Sequence, residues 1–370
     1  MKIYKFTLAA VFLTSFAHMA SAQIRIGQTA GFTGPVSAGV KETTEGAQLY
    51  FNAINAKGGV LGQKIELLSL DDKFDPKLAA ENARTLIEKD DVLAMFLTRG
   101  TPHTQAVIPV IDEYRVALVG PSTGAMVLHQ PLQKHVFNVR ATYQREAERA
   151  IVHLHSIGLT RIGVIYVDDS FGEDGLAGAE KGFMKANLKP VLTEKFNRLK
   201  PDFALITPKV VESRAQAILM VAASQAIVEG LKAFRESGSQ AQLVTLSNNA
   251  SSGFIKSMGA LGRGQIVMQV YPSERSIASP MVRQALEMAK AQKVGQLSPA
   301  MLEGFAAAKV LVEGLMRAGR KPTREKLITA LETFRQFDVG GLKITYTDTS
   351  HTGLDFVDLS IIGADGQFKR

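Results

Sequence analysis

The sequence predicts an α/β protein made of two doubly wound lobes, each with a parallel sheet. Short apolar runs alternate with amphipathic helical patterns, as expected for parallel strands joined by right-handed crossovers. This alternation runs from residue 24 to residue 119 and starts again near residue 146. About 350 residues remain after the expected removal of a leader, which is more than the roughly 250–300 that one hydrophobic core sustains. Two lobes are therefore the expected organisation.

Residues 1–22 have the pattern of a cleaved signal peptide. They begin with two lysines, continue with an apolar run over residues 6–16 and end on Ala20-Ser21-Ala22, a small-residue cleavage pattern. Cleavage is expected before Gln23. The apolar run is shorter than the roughly 20 residues that span a bilayer. The sequence therefore predicts an exported protein without direct membrane insertion, and the family resemblance described below implies the periplasm.

Composition excludes several classes of protein. The chain has no cysteine, so a lipid anchor on cysteine and a disulfide framework are both excluded. The formal charge of +8 falls to about +6 without the two leader lysines. Basic residues are interspersed with acidic ones on the predicted helices, and they form no basic run with interleaved aromatic residues. We therefore expect no nucleic-acid partner.

The first predicted unit alternates strands and helices. The apolar stripe of the first helix starts near residue 45. Gly58-Gly59 predicts the end of this helix, because glycine readily adopts the left-handed backbone conformation that terminates helices. Asp75-Pro76 has the pattern of an N-cap followed by proline, and Thr101-Pro102 repeats it at the next helix. The predicted strands are residues 24–27, 63–70, 92–97 and 116–119.

The second predicted unit repeats the pattern and is followed by a helical tail. Its helices are predicted at residues 146–157, after 172, at 203–211 and at 225–237. Its strands are predicted at residues 161–167, 191–194, 217–221, 242–246 and 265–270. Three helices at 280–292, 299–318 and 324–334 come next, before strands at 342–346 and 356–362.

Two polar loops in residues 96–125 are the first candidate site, because ligands of open parallel sheets bind at the carboxyl ends of the strands. Backbone amides at helix N-termini favour anions, and glycine allows a ligand to approach the backbone closely. The candidate residues are Arg99, Gly100 and Thr101 in one loop and Ser122, Thr123 and Gly124 in the next.

The order of several short motifs resembles one family, the periplasmic solute-binding receptors of ABC importers, type I, of the leucine/isoleucine/valine-binding group. The resemblance covers the whole mature chain in order, and its most specific segments are Gly34-Pro35, residues 51–62, Asp71-Asp72, Asp75-Pro76, residues 121–123, 137–140, 161–166, Phe171-Gly172 and residues 201–203. The resemblance implies a receptor without enzymatic activity or cofactor that closes on a small molecule and presents it to a membrane permease.

The same resemblance implies how the chain divides. Three crossings, near residues 140–141, 270–271 and 349, would join the lobes as a hinge. Lobe 1 would comprise residues 23–141 and 271–350, and lobe 2 residues 142–270 and 351–370.

The resemblance also implies partners for the two loops across the cleft. The family holds a ligand carboxylate with hydroxyls and backbone N–H groups of the first-lobe loops. Phe171 and Ser224 match second-lobe ligand positions. Asn248, in Ser247-Asn248-Asn249, stands where amino-acid binders carry an acid for the ligand ammonium. Asparagine cannot neutralise a buried ammonium, whereas Arg99 can pair with an acid. The hypothesis is a small aliphatic or aromatic carboxylate, and two classes stay open: an acid without an α-amine and an amino acid.

Alternatives remain open for the residues and for the function. Arg99 is also compatible with an inter-lobe or surface salt bridge, Phe171 with a core residue, and Ser224 and Asn248 with turns. A sensory receptor of the same fold is a second function, and an exported hydrolase using Ser122 is a third, although no nucleophile elbow is present. The spacing of the histidines predicts no metal site.

Overall fold

The computed structural model describes residues 23–370, so the expected leader and its cleavage lie outside the described residues. The first lobe has a parallel five-stranded sheet in the order β2-β1-β3-β4-β5, which is the doubly wound order with a switch point between β1 and β3. Its strands are β1 (Ile24–Ala30), β2 (Ile65–Asp71), β3 (Ala94–Phe96), β4 (Ala117–Val119) and β5 (Val136–Phe137). Its connecting helices are α1 (Ser37–Ala56), α2 (Pro76–Glu88) and α3 (Thr101–Tyr114).

The second lobe repeats this winding in a seven-stranded sheet, in the order β14-β13-β10-β9-β8-β6-β7. Its strands are β6 (Ile162–Val167), β7 (Leu192–Phe196), β8 (Ala217–Val221), β9 (Gln242–Thr245), β10 (Ile266–Gln269), β13 (Asp358–Ile362) and β14 (Phe368–Lys369). Its helices are α4 (Tyr143–Ser156), α5 (Ser170–Ala186), α6 (Phe203–Ser213), α7 (Ser224–Glu236) and α8 (Ser252–Met258).

Three C-terminal helices return to the first lobe. They are α9 (Pro280–Ala291), α10 (Pro299–Ala318) and α11 (Arg324–Glu332), and a short hairpin of β11 (Phe337–Asp338) and β12 (Lys343–Ile344) follows them. Helix α10 crosses α1 so closely that a Cβ atom on Gly304 would lie 1.7 Å from the Thr43 carbonyl oxygen. A Cβ on Gly46 would lie 1.9 Å from the carbonyl oxygen of Met301. These glycines therefore allow backbone contact between the two helices.

The predicted α/β fold with two doubly wound lobes is confirmed, with differences in detail. The first helix begins at Ser37, earlier than the apolar stripe near residue 45 indicated. The sheets are not wholly parallel, because β13 pairs antiparallel with both β10 and β14 at one edge of the second sheet. The two-residue strand β5 and the short helix α8 were not predicted, since neither is long enough to show a period.

Each lobe has its own hydrophobic core. Residues of β1, β3, β4 and β5 share one core with α9, α10 and α11, and the second sheet packs in another with α4 to α7. The division at residues 141, 270 and 350 remains a prediction. Among residues 23–370, no helix is both long and apolar enough to cross a membrane.

A buried arginine lies where the chain first passes between the lobes. Arg140 and Glu146 are 1% and 0% exposed and form an ion pair. The Arg140 guanidinium also contacts the Ser247 hydroxyl and lies 3.7 Å from a carboxylate oxygen of Glu303 on α10. It lies over the Tyr143 ring, 4.5 Å from the ring centroid. One cation therefore joins segments of both lobes.

The Arg140→Ala variant should lose about 3–5 kcal/mol of unfolding free energy, because it leaves the Glu146 carboxylate buried without its counter-ion. Urea denaturation of the mature protein at pH 7 measures this loss. The matched control is Arg84→Ala, which removes an arginine from exposed ion pairs with Glu88 and Glu113 and should change stability far less. Equal losses in the two variants would contradict the assignment.

Candidate functional site

Arg99 lies in the cleft and hydrogen-bonds to both lobes. It follows β3 in the loop before α3 and is 5% exposed. Its Nη1 donates to the Ser122 hydroxyl oxygen at 2.8 Å, and its Nη2 donates to the Asn248 carbonyl oxygen at 2.5 Å. Asn248 belongs to the 3₁₀ turn Ser247–Asn249 after β9. Arg99 is therefore an inter-lobe residue, but these two partners are neutral rather than carboxylates.

The two candidate first-lobe loops lie side by side. The Thr101 and Thr123 hydroxyl oxygens are 2.8 Å apart, and both residues are buried. Gly100 has a φ of +91° and is the N-cap residue of α3. The prediction that Thr101 caps this helix is wrong: Thr101 is the first helical residue, and its hydroxyl pairs with Thr123 of the neighbouring loop.

Gly124 packs against the first chain crossing between the lobes. Its carbonyl oxygen accepts a hydrogen bond from the Tyr143 backbone N–H at 2.8 Å. A Cβ atom at this position would lie 2.6 Å from the Ala141 carbonyl oxygen. The absent side chain thus lets the loop after β4 pack against the first crossing.

Ser224 also lies apart from the other candidates. Its hydroxyl donates to Asn249 Oδ1 at 2.8 Å. It lines a separate pocket at the edge of the cleft, together with Pro35 and Gly253. Ala223, immediately before it, is the residue that faces the same cavity as Arg99.

We call the cavity around Arg99 the inner cavity. Five of its lining residues were predicted from the sequence: Arg99, Gly100, Thr101, Phe171 and Asn248. Five others were not: Val36, Phe74, Tyr143, Arg198 and Ala223. The inner cavity has a volume of only about 20 Å³, which is room for about one water molecule. The lobes are thus closed on one another here.

The inner cavity is lined by two guanidinium groups and by no carboxylate. Arg198 pairs with Asp169 at 2.5 Å, whereas Arg99 has only the neutral partners described above. Asn248 Oδ1 is buried and has no hydrogen-bond partner among the described residues. A guanidinium offers five N–H donors, so the cavity can bind an anion at Arg99 and one donor group at Asn248.

The environment of Ser122 does not fit a nucleophile. Its hydroxyl oxygen accepts from Arg99, and its backbone N–H donates to the Thr98 carbonyl oxygen at 2.7 Å. A serine nucleophile needs a neighbouring base to take its proton, and a guanidinium cannot act as one. Within residues 23–370, no group of three or more His, Asp or Glu side chains is arranged to hold a metal ion.

His103 lies behind the loop of Arg99, in the first turn of α3. Its ring stacks on Phe74 with 4.1 Å between ring centroids and 18° between ring planes. A Cβ atom on Gly100 would lie 2.7 Å from its Nδ1. Burial lowers the pKa of His103 to about 4, and nearby Arg198 acts in the same direction. The ring is therefore neutral at pH 7.

Comparison with known proteins gives a consistent result. A family profile described as "Periplasmic binding protein" matches residues 23–357. The Leu/Ile/Val-binding protein BraC3 of Rhizobium johnstonii is 26% identical over 93% of both chains. A substrate-binding periplasmic protein from Ralstonia solanacearum has a TM-score of 0.86 and 31% identity, over 94% of this chain and 99% of its own. The leucine-binding protein LivK from Thermotoga maritima shares the fold, with a TM-score of 0.82 and 21% identity, over 94% and 98%.

Acid should destabilise the protein partly through His103. Between about pH 6.5 and pH 4 the unfolded chain binds a proton at this ring that the folded chain excludes, so stability falls as the pH drops through this window. His103→Leu should reduce the stability lost between pH 7 and pH 4.5 by about 2 kcal/mol. Urea titrations at both pH values measure the difference. His155→Leu, at an exposed position of α4, is the control for replacing a histidine by leucine. Equal changes in pH dependence in the two variants would refute the assignment.

Proposed function

This chain belongs to the periplasmic binding protein family, and from that premise we propose that it captures a small carboxylate or amino acid between its lobes and delivers it to an ABC permease. The expected leader would place it in the periplasm. The observation that carries the proposal is the buried Arg99, which lies between the lobes without a carboxylate partner and beside the N-terminus of α3. Both features attract an anion.

We further propose that the ligand is an acid without an α-amine. An amino acid brings an ammonium into the cleft, and a buried ammonium without a counter-charge costs several kcal/mol. No acidic side chain lines the inner cavity, and the residue after β9 that faces it is Asn248. Its unpartnered Oδ1 suits a neutral donor group such as a hydroxyl. Relatives are named for leucine, isoleucine and valine, so these amino acids are the competing ligands.

Closure of the lobes supplies the mechanism. Besides the bond from Arg99 to Asn248, the Ser170 hydroxyl donates to Gln105 Oε1 across the cleft at 2.5 Å. Glu42 on α1 accepts from the backbone N–H groups of Ser252 and Gly253 at 2.9 and 2.7 Å. A ligand that bridges the lobes adds differential contacts to the closed form and shifts the equilibrium towards it. The permease would then recognise the closed form.

Calorimetric titration tests the ligand class directly. Purified mature protein is titrated with leucine, valine and a panel of amine-free carboxylates of similar size. We expect heat of binding with at least one amine-free acid and weaker binding of the matching amino acid. Nanomolar binding of leucine together with no binding of any amine-free acid would reject the carboxylate assignment.

Arg99→Ala should weaken binding of the best acid about 10- to 150-fold, because a hydrogen bond to a charged group contributes about 1.5–3 kcal/mol. The variant also removes an inter-lobe bond, so Gln105→Ala is the matched control. It removes the bond from Ser170 without altering the inner cavity. Calorimetry should show at most a few-fold loss for the control. Unchanged affinity of Arg99→Ala for every ligand would exclude Arg99 from the site.

Asn248→Asp should shift the ligand preference from amine-free acids towards amino acids. A carboxylate at this position repels an acid and pairs with an ammonium, so affinity for the amine-free acid should fall at least about tenfold. The ratio of amino-acid to acid affinity should rise correspondingly in parallel titrations. Asn249→Asp is the control, since Asn249 bonds to Ser224, Ala222 and Thr245 and does not line the inner cavity. An unchanged ratio in Asn248→Asp would argue against contact between this residue and the ligand.

A further inference from the structure

A second cavity adjoins the inner one. This outer chamber has a volume of about 340 Å³, within the usual size range of small-molecule sites. It shares three lining residues with the inner cavity, namely Phe74, Arg198 and Ala223. Both lobes contribute to its walls, so it is part of the cleft. The inner cavity is too small for more than the polar end of a ligand, whereas the chamber has room for a larger group.

The chamber walls combine apolar side chains with the polar side chains of Lys73, Arg198, Gln225 and Glu229. Phe74 from the first lobe and Phe196 from the second supply aromatic rings, and Ala226 and Pro201 supply aliphatic surface. Leu199 completes the wall although its side chain is 91% exposed. Its loop is held in place, because Asn197 Oδ1 accepts from the backbone N–H groups of Leu199 and Lys200 at 2.9 and 3.1 Å. An exposed leucine kept at a cavity mouth in this way is available to cover an apolar group.

Arg198 does not make the chamber an anion site. Its guanidinium is paired with Asp169 at 2.5 Å and lies over the Phe74 ring, 5.1 Å from the centroid. Its charge is therefore compensated, in contrast to that of Arg99. A paired guanidinium stacked on a ring presents a flat surface to a neighbouring planar group. The two cavities thus differ in chemistry: the inner one holds the unpaired cation of Arg99, and the outer one offers aromatic and aliphatic surface together with Lys73 and Glu229, whose charges are opposite.

We propose that the outer chamber binds the distal apolar group, an aryl or branched alkyl group, of the same ligand whose carboxylate contacts Arg99. This inference rests on the proposed function and extends it, because it makes the ligand longer than leucine. The carboxylate lies at the inner cavity, the connecting atoms pass between Phe74 and Ala223, and the apolar group lies against Leu199. The ligand class is accordingly an extended aryl- or alkyl-substituted carboxylic acid.

The test compares two probes that share a carboxylate end, isovalerate and 4-phenylbutanoate, by calorimetric titration of the mature protein. 4-Phenylbutanoate should bind the unaltered protein at least tenfold more tightly than isovalerate. Leu199→Ala should weaken 4-phenylbutanoate about five- to tenfold, as expected from the lost apolar contact, and leave isovalerate within twofold. Leu205→Ala is the matched control: this leucine on α6 is also exposed, at 70%, but does not line the chamber. It should change neither affinity.

A second variant tests the volume of the chamber. Ala226→Phe places a ring in it and should reduce 4-phenylbutanoate binding more than tenfold while leaving isovalerate within twofold. Circular dichroism verifies that the variant is folded. If isovalerate binds as tightly as 4-phenylbutanoate, or if Leu199→Ala and Leu205→Ala behave alike, the chamber assignment is overturned and the proposed function stands. Binding of neither acid to the unaltered protein also overturns the chamber assignment, and the titrations with leucine, valine and the full panel of amine-free acids then decide the proposed function separately.

Discussion

The buried ion pair of Arg140 and Glu146 is the interaction on which both the hinge and the site depend. Taking two charges out of water is costly, so such a pair persists only where further hydrogen bonds complete it. Here the Glu146 carboxylate also accepts from the Ser247 backbone N–H at 2.7 Å and hydroxyl at 3.0 Å. Ser247 begins the turn that presents the Asn248 carbonyl oxygen to Arg99. The charge buried at the first crossing therefore positions the second-lobe half of the cleft.

The fold was largely predictable because its signals are local. Strand β8 and helix α10 have the predicted bounds, and Asp75 caps α2 by accepting from the Lys77 backbone N–H at 2.8 Å. Periodicity and capping act over a few residues, which a sequence displays directly. Strand β13 was predicted at residues 356–362, but its antiparallel direction, next to the edge strand β14, was not predictable in the same way. Its direction is set by the path of the chain after the third crossing, and that path depends on packing between distant segments.

The site was predictable only in part, and the failures share a cause. Arg99 was identified because it follows a strand at the carboxyl edge of its sheet, whereas Phe171 and Asn248 were identified from the family resemblance. Thr101 pairs with Thr123, and Ser224 pairs with Asn249, and no sequence pattern reveals these long-range partners. Phe74 and Arg198 line both cavities, yet neither stands in a recognisable motif. They meet only because the lobes close, so their role follows from tertiary structure.

The return of α10 to α1 has a consequence for the order in which the molecule assembles. The first lobe draws its core from residues near both ends of the chain, whereas the second lobe's core comes mainly from the uninterrupted segment between Tyr143 and Met268. When the chain is synthesised from its N-terminus, one face of the β1–β5 sheet remains uncovered until helices α9 to α11 have been made. The segment between Tyr143 and Met268 can fold earlier. The close contact between α1 and α10, at Gly46 against Met301 and at Gly304 against Thr43, is thus formed late, and it converts two separated stretches of polypeptide into one lobe.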